Sequence, residues 1–272
     1  MLLAALMHAG WNAIAKIGRD GLTTMAIMKA PNMLVALAVL AVAGLPSLDC
    51  LPYLLASIAA NSAYFFLLIR AYRFGDLSLA YPVARGLAPM LVIPIAIVTA
   101  SEVPSTAGLA GVLVISLGLL ALGIQRSGSR QHWQALRFAA SVGLMIAIYT
   151  VLDGLGARAS GNPVGYVAIL NIGTGIIVVG TAARLRGAAF ARALRRDWHR
   201  GLLGGTLMLA GYTIVVYALT LAPMALIAAL RESSVVFAAI IGTFLLREPF
   251  GPKRILASAA VVAGIALLAL GG

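Results

Sequence analysis

The chain has 272 residues, 62% of them hydrophobic and 10% charged, with a net charge of +12. A soluble domain is typically about one-quarter charged, so too little polar surface is available here to cover a water-borne globule. A mean hydropathy of +1.02 points the same way.

Apolar runs of about 20 residues, the length that crosses a bilayer, follow one another almost without pause. They fall at 2–17, 23–44, 51–70, 77–99, 105–124, 136–153, 163–183, 201–220, 223–246 and 254–270. This pattern predicts an all-α polytopic membrane protein with ten transmembrane helices. The first run lacks the basic flank of a signal peptide and is read as span one. The longest loop is expected near 184–200.

Span one carries His8, Trp11 and Asn12 on one helical face. The ordinary pKa of an imidazole is close to physiological pH, so His8 is a candidate proton carrier. Trp11 suits either a cavity wall or the lipid interface. Lys29 lies seven residues into span two, beside Asn32, and Asn61 and Tyr64 share a face of span three.

Span four contains "AYPVARGLAP", with Tyr81 beside Pro82 and Arg85 between Pro82 and Pro89. Arg85 lies about 12 Å into the span at 1.5 Å per residue. A cation at that depth costs about 2.5–3.5 kcal/mol, so it is expected to face a wet cavity or a partner. Both prolines remove a backbone donor and can kink the helix.

Span six is expected to end at Asp153, one turn after Tyr149. A hydrated helix end or a pair with Arg158 competes there with proton coupling. Asn171 lies on span seven, and Tyr212 and Tyr217 lie on span eight. Gly201 and Gly205 form a GxxxG that suits close helix contact. Span nine holds "IAALRESSV", in which Arg231 is followed by Glu232, the deepest acid and a further candidate proton carrier. Adjacent helical residues diverge, so each of these two needs another partner.

The chain also repeats itself. Residues 64–123 overlay 210–269 without a gap, which places Arg85 on Arg231, Glu102 on Glu248 and Gly118 on Gly264. Two five-span units are therefore expected, 1–125 and 126–272. An odd number of spans per unit inverts one against the other. Nearly all lysines and arginines fall in the odd-numbered loops, and Arg158 alone falls in an even one. The positive-inside rule accounts for the net charge without nucleic acid, and places the odd loops in the cytoplasm and both termini outside.

The stretches "LLAALMHAGWNAIAK", "AYRFGDLSLAYPVARGLAPMLV", "YTVLDGLGARASGNP" and "ALIAALRESSVVFAAIIGTFLLREPFGPKRILASAAVVAGIALL" resemble the EamA-type branch of the drug/metabolite transporter superfamily. That resemblance implies a ten-helix exporter or exchanger of small metabolites such as amino acids. It also implies a multi-pass protein of the bacterial inner membrane, with its site between the halves. Some relatives of this shape are associated with phosphonate utilisation. Described relatives usually keep both termini in the cytoplasm, opposite to the charge count here.

No P-loop, GxSxG, HExxH or GxGxxG occurs, and the eight acids form no DxxD or ExxE pair. With one cysteine and three separated histidines, no enzyme, metal or cofactor is expected. The expected partners are the lipid bilayer and a small polar substrate carrying a carboxylate or phosphate, with a homodimer left open. Substrate contact is expected from Arg85, Arg231, Trp11, Asn12, Tyr81, Asn61, Tyr64, Tyr212 and Lys29. Proton coupling is expected from Glu232, Asp153 and His8. The other readings are a membrane enzyme or scramblase acting on a lipid phosphate head group, and a non-transporting receptor.

Overall fold

The computed structural model describes residues 1–16, 18, 20–74, 77–123, 130–244 and 252–270, and among these every regular element is helical. In chain order they are α1 (Leu2–Lys16), α2 (Gly21–Ala43), a 3₁₀ turn (Leu48–Cys50), α3 (Leu51–Phe74), α4 (Leu77–Ala100) and α5 (Thr106–Gly123). There follow α6 (Arg130–Ser160), α7 (Pro163–Arg186), α8 (Ala188–Leu221), α9 (Met224–Arg231), α10 (Ser234–Phe244) and α11 (Pro252–Leu270). Six segments are long and apolar enough to cross a membrane, and Leu2–Ala15, Thr106–Leu122 and Ile255–Leu270 form shorter apolar helices. The chain is a multi-pass membrane protein.

Three expectations are corrected. Residues 184–200 are helical except for a turn at Gly187, because "AAFARALRR" is built of strong helix formers. The helix yields only at Asp197, where φ −110° and ψ 15° mark a kink. Helix α6 continues past Asp153 to Ser160, and Arg158 in its last turn binds the carbonyls of Leu219 and Ala222.

Span nine is two helices separated at Glu232–Ser233, although it lacks proline there. Ser233 Oγ donates to Leu230 O at 2.7 Å, and Glu232 N–H bonds to Ala229 O, a tightened turn that ends α9. By contrast α4 remains one helix through Pro82, Pro89 and Pro94. Glu248 lies outside the described residues.

The helices pair off in a regular way. Helix α1 packs on α8 as α3 packs on α6, and α1 packs on α10 as α4 packs on α6; α2 meets α7, α4 meets α9, and α5 meets α11. Small residues set the closest crossings. A Cβ on Gly111 or on Gly264 would lie 2.8 Å from the other's carbonyl oxygen. The GxxxG of α8 behaves as its spacing suggests, since a Cβ on Gly201 or Gly205 would run into the carbonyls of Ile27 and Met28 on α2. Pro31 has no N–H for the Ile27 carbonyl, so that oxygen is left to the bare face of Gly201.

Candidate functional site

Six helices and the end of α9 enclose a cavity of about 70 Å³ at the centre of the bundle. His8 and Trp11 come from α1, Lys29 from α2, and Asn61, Tyr64 and Phe65 from α3. Tyr149 comes from α6, Asn171 and Thr174 from α7, Tyr212 from α8, and Arg231 from α9. An arginine and a lysine therefore share a wall that, among the described residues, carries no carboxylate. Lys29 Nζ donates to Asn171 Oδ1 at 3.1 Å and Thr174 Oγ1 at 3.0 Å, and lies 5.4 Å from the Phe65 ring centre. Tyr64, Tyr149 and Tyr212 meet edge to face, with centroids 5.8 Å and 6.3 Å apart.

Two buried carboxylates stand behind this wall. Asp153 is fully buried, and it accepts hydrogen bonds from Ser57, Tyr212 and Tyr166, the last at 2.9 Å. Asn61 Nδ2 in turn donates to Ser57 Oγ at 3.1 Å. Tyr212 and Asn61 both line the cavity, so one hydroxyl separates Asp153 from it.

Glu232, also fully buried, occupies the break between α9 and α10. Its position opposes the dipole of α9 but suits the N-terminal end of α10, as Arg231 suits the C-terminal end of α9. Its Oε2 lies 2.7 Å from Arg85 Nε, and its Oε1 lies 4.0 Å from Arg231 Nε. Arg85 Nη2 donates to Ser234 Oγ at 2.9 Å, and the guanidinium lies 5.7 Å from the Tyr81 ring centre. Arg231 Nη2 has no hydrogen-bond partner among the described residues.

The two arginines thus diverge. Arg231 lines the cavity, while Arg85 is turned toward Glu232, Ser234 and Tyr81 behind it. The cavity gathers His8, Trp11, Lys29, Asn61, Tyr64, Tyr212 and Arg231 from the expected set. Asn12 and Tyr81 are not on its wall, and Asn12 Nδ2 instead donates to His8 O at 2.7 Å. Trp11 is buried at the cavity rather than at a lipid interface.

Asp153 sits inside α6 rather than at its end, and Arg158 pairs with Glu102 at 2.6 Å instead. Ser57, Phe65, Tyr166, Thr174 and Ser234 were not singled out from the sequence. Ser57 lies one turn before Asn61, and Ser234 lies two residues after Glu232, so spacing is the one signal that could have found them.

The two ends of the cavity differ. Toward Asp20 and the first part of α8 lies a cleft of about 750 Å³, bordered by Ile14 and Met28. Met28 packs with Trp11 and Met208, which border the cavity, so these three side chains separate cleft from cavity. Toward the opposite end, Glu102 Oε2 accepts from Met224 N–H at 2.7 Å, at the start of α9, while also holding Arg158.

No curated protein matches the chain in sequence. A solved crystal structure, described only as that of a protein, superposes with a TM-score of 0.78 at 18% identity, covering 98% of this chain and 94% of the other. At that identity the likeness shows the fold. Residues 133–270 match the model of the EamA-like transporter family. Half of the chain lies within that match, its apolar helices cross a membrane, and the protein belongs to the EamA-like transporter family.

Proposed function

We propose that the protein is a secondary transporter that moves a small polar metabolite bearing a carboxylate or phosphate, using the central cavity as its site. The observation that carries this reading is Lys29 and Arg231 on one cavity wall that, among the described residues, bears no carboxylate. Guanidinium and ammonium donors with open valence fit an anionic group. Asn171, Thr174 and the three tyrosines supply the neutral donors and acceptors that would orient it.

The cavity, at about 70 Å³, is well below the roughly 300–1,000 Å³ of ordinary ligand sites. A metabolite therefore requires the helices to part. We assign that motion to two inverted five-helix repeats, 1–125 and 126–272. The exchange-symmetric packing supports them, with α1 on α8 matching α3 on α6 and α5 crossing α11 on itself. The broken ninth span puts Arg231 on a short helix that ends at the cavity, a common device where half-helices meet a substrate.

For coupling, the chemistry of the partners favours Asp153 over Glu232. Hydroxyls both donate and accept, so Ser57, Tyr166 and Tyr212 can serve either protonation state of Asp153. Guanidiniums only donate, so a proton on Glu232 would set donors against Arg85. Asp153 is the proton carrier in this reading, relayed to the cavity through Tyr212, and Glu232 is the counterion that holds Arg85. The basic odd-numbered loops support a cytoplasmic position for the wide cleft and, with it, export toward the opposite face.

Flux of pooled amino acids and phosphorylated metabolites into proteoliposomes, with and without a pH gradient, tests this. The expected result is gradient-dependent flux lost in Arg231→Ala and uncoupled from pH in Asp153→Asn. Flux unaffected by Arg231→Ala overturns the site. Lipid flip or turnover without solute flux would favour an enzyme or scramblase.

A further inference from the structure

The cleft at the Asp20 end has a chemistry different from that of the central cavity. Ile14, Ile27 and Met28 form its inner wall, whereas Arg196, His199 and Arg200 stand at its rim. The rim belongs to the first part of α8, which kinks at Asp197. Phe190 is buried there and Leu194 packs beside it against α2 and α3, which leaves the arginines of this segment facing outward. Trp198 is 55% exposed beside them. An exposed tryptophan among arginines at the end of a membrane helix marks the headgroup level of a bilayer.

The charges at the mouth do not cancel. Asp197 approaches Arg196 at 2.8 Å and Arg200 only at 3.9 Å. Asp20, the other acid of the cleft, is taken by Arg186 at 3.0 Å. Arg200 therefore keeps most of its donors, and Arg192 and Arg195, exposed and without an ion pair among the described residues, add positive charge on the same segment. Beyond the rim the polar side chains of the lining are those of Asp20, Thr23 and Thr24, and both threonine hydroxyls already donate to Asp20, which leaves little to hold a free metabolite. An amphiphile would find a basic rim for its phosphate and an apolar wall for its chain.

We propose that this cleft holds an anionic phospholipid, with its phosphate at Arg196, His199 and Arg200 and one acyl chain along Ile14, Ile27 and Met28. The lipid lies against Met28, one of the three side chains that separate cleft from central cavity. It is a structural ligand, distinct from whatever the cavity carries.

The test is lipid retention, which needs no solute flux and so stands or falls apart from the transport reading. The full chain is reconstituted in phosphatidylcholine vesicles with and without phosphatidylglycerol, extracted in mild detergent, and its retained lipid measured by native mass spectrometry. Phosphatidylglycerol is expected to be enriched on the wild type. In R196Q/R200Q its binding should weaken about 30-fold, corresponding to about 1 kcal/mol for each arginine near an anionic headgroup. R192Q/R195Q, on the same segment but away from the cleft, should lose much less.

Equal loss in both variants would overturn the site in favour of diffuse surface attraction. Equal retention of phosphatidylcholine would overturn the headgroup assignment. Inorganic phosphate that alone displaces the lipid and raises the Tm as much as phosphatidylglycerol does would reassign the rim to a free anion.

Discussion

Asp153 and Glu232 are both fully buried near the centre of the bundle, yet the protein surrounds them with opposite chemistry. Asp153 is held by three hydroxyls and, among the described residues, makes no ion pair. Glu232 is held by guanidiniums, closely by Arg85 and loosely by Arg231. A buried ion pair contributes little net stability as a pair, but losing one partner leaves a naked charge. A carboxylate among hydroxyls loses no partner when its charge changes. The two sites separate a fixed counterion from a group free to titrate, and that separation is open to direct attack.

The largest expected effect is on Glu232. Glu232→Gln should destabilise the fold by about 3–5 kcal/mol, because Arg85 is left uncompensated. Replacing the pair together, as Arg85→Met with Glu232→Leu, should recover most of the lost Tm. A double variant as unstable as the single one would break the comparison.

Next comes the split between the arginines. Arg231→Gln should lower flux of an anionic solute about 10–100-fold, the equivalent of one lost charge-assisted hydrogen bond, with Tm little changed. Arg85→Gln should show the reverse pattern, a large fall in Tm. At Asp153, Asn substitution should flatten the pH dependence of flux, and Tyr212→Phe should cost about 1 kcal/mol of stability through one lost hydroxyl. A pH profile unchanged in Asp153→Asn would move the coupling elsewhere.

The smallest effect lies outside the membrane. Asp20 is held below its ordinary value of 3.8, chiefly by the hydrogen bond from Arg186. Its contribution to stability is therefore complete above that ordinary value and fades as pH falls through the lowered one. Arg186→Gln should shrink this acid limb in thermal unfolding followed from neutral pH downward, by lowering stability at neutral pH by the same small amount while leaving stability below the lowered pKa unchanged.

Much of the helical order was legible from the apolar runs, because each run must satisfy its own backbone in lipid. What misled was the use of charge as a full stop. Asp153 looks like the end of a span because Arg158 follows it, yet Arg158 lies along α8 carbonyls and lets α6 continue. Arginines near 190–200 suggest a loop, yet alanine, leucine and arginine all favour helix.

The burial of Arg85 and Arg231 was legible too. Their divergence was not, since it rests on Glu232 choosing Arg85 across 147 residues of chain. Sequence symmetry gave both arginines the same standing, and only the break at Glu232–Ser233 tells them apart.

The Glu102 clasp has a further consequence. Its carboxylate joins the loop before α5 to Arg158 and to the first N–H of α9, and both side chains of the ion pair are partly open to water. It therefore meets the solution on one face of the membrane only. Raising ionic strength in that compartment should loosen α9, and with it Arg231, while the same salt added to the other compartment should leave the clasp untouched. The bilayer would make an ordinary surface interaction report which of two baths has changed.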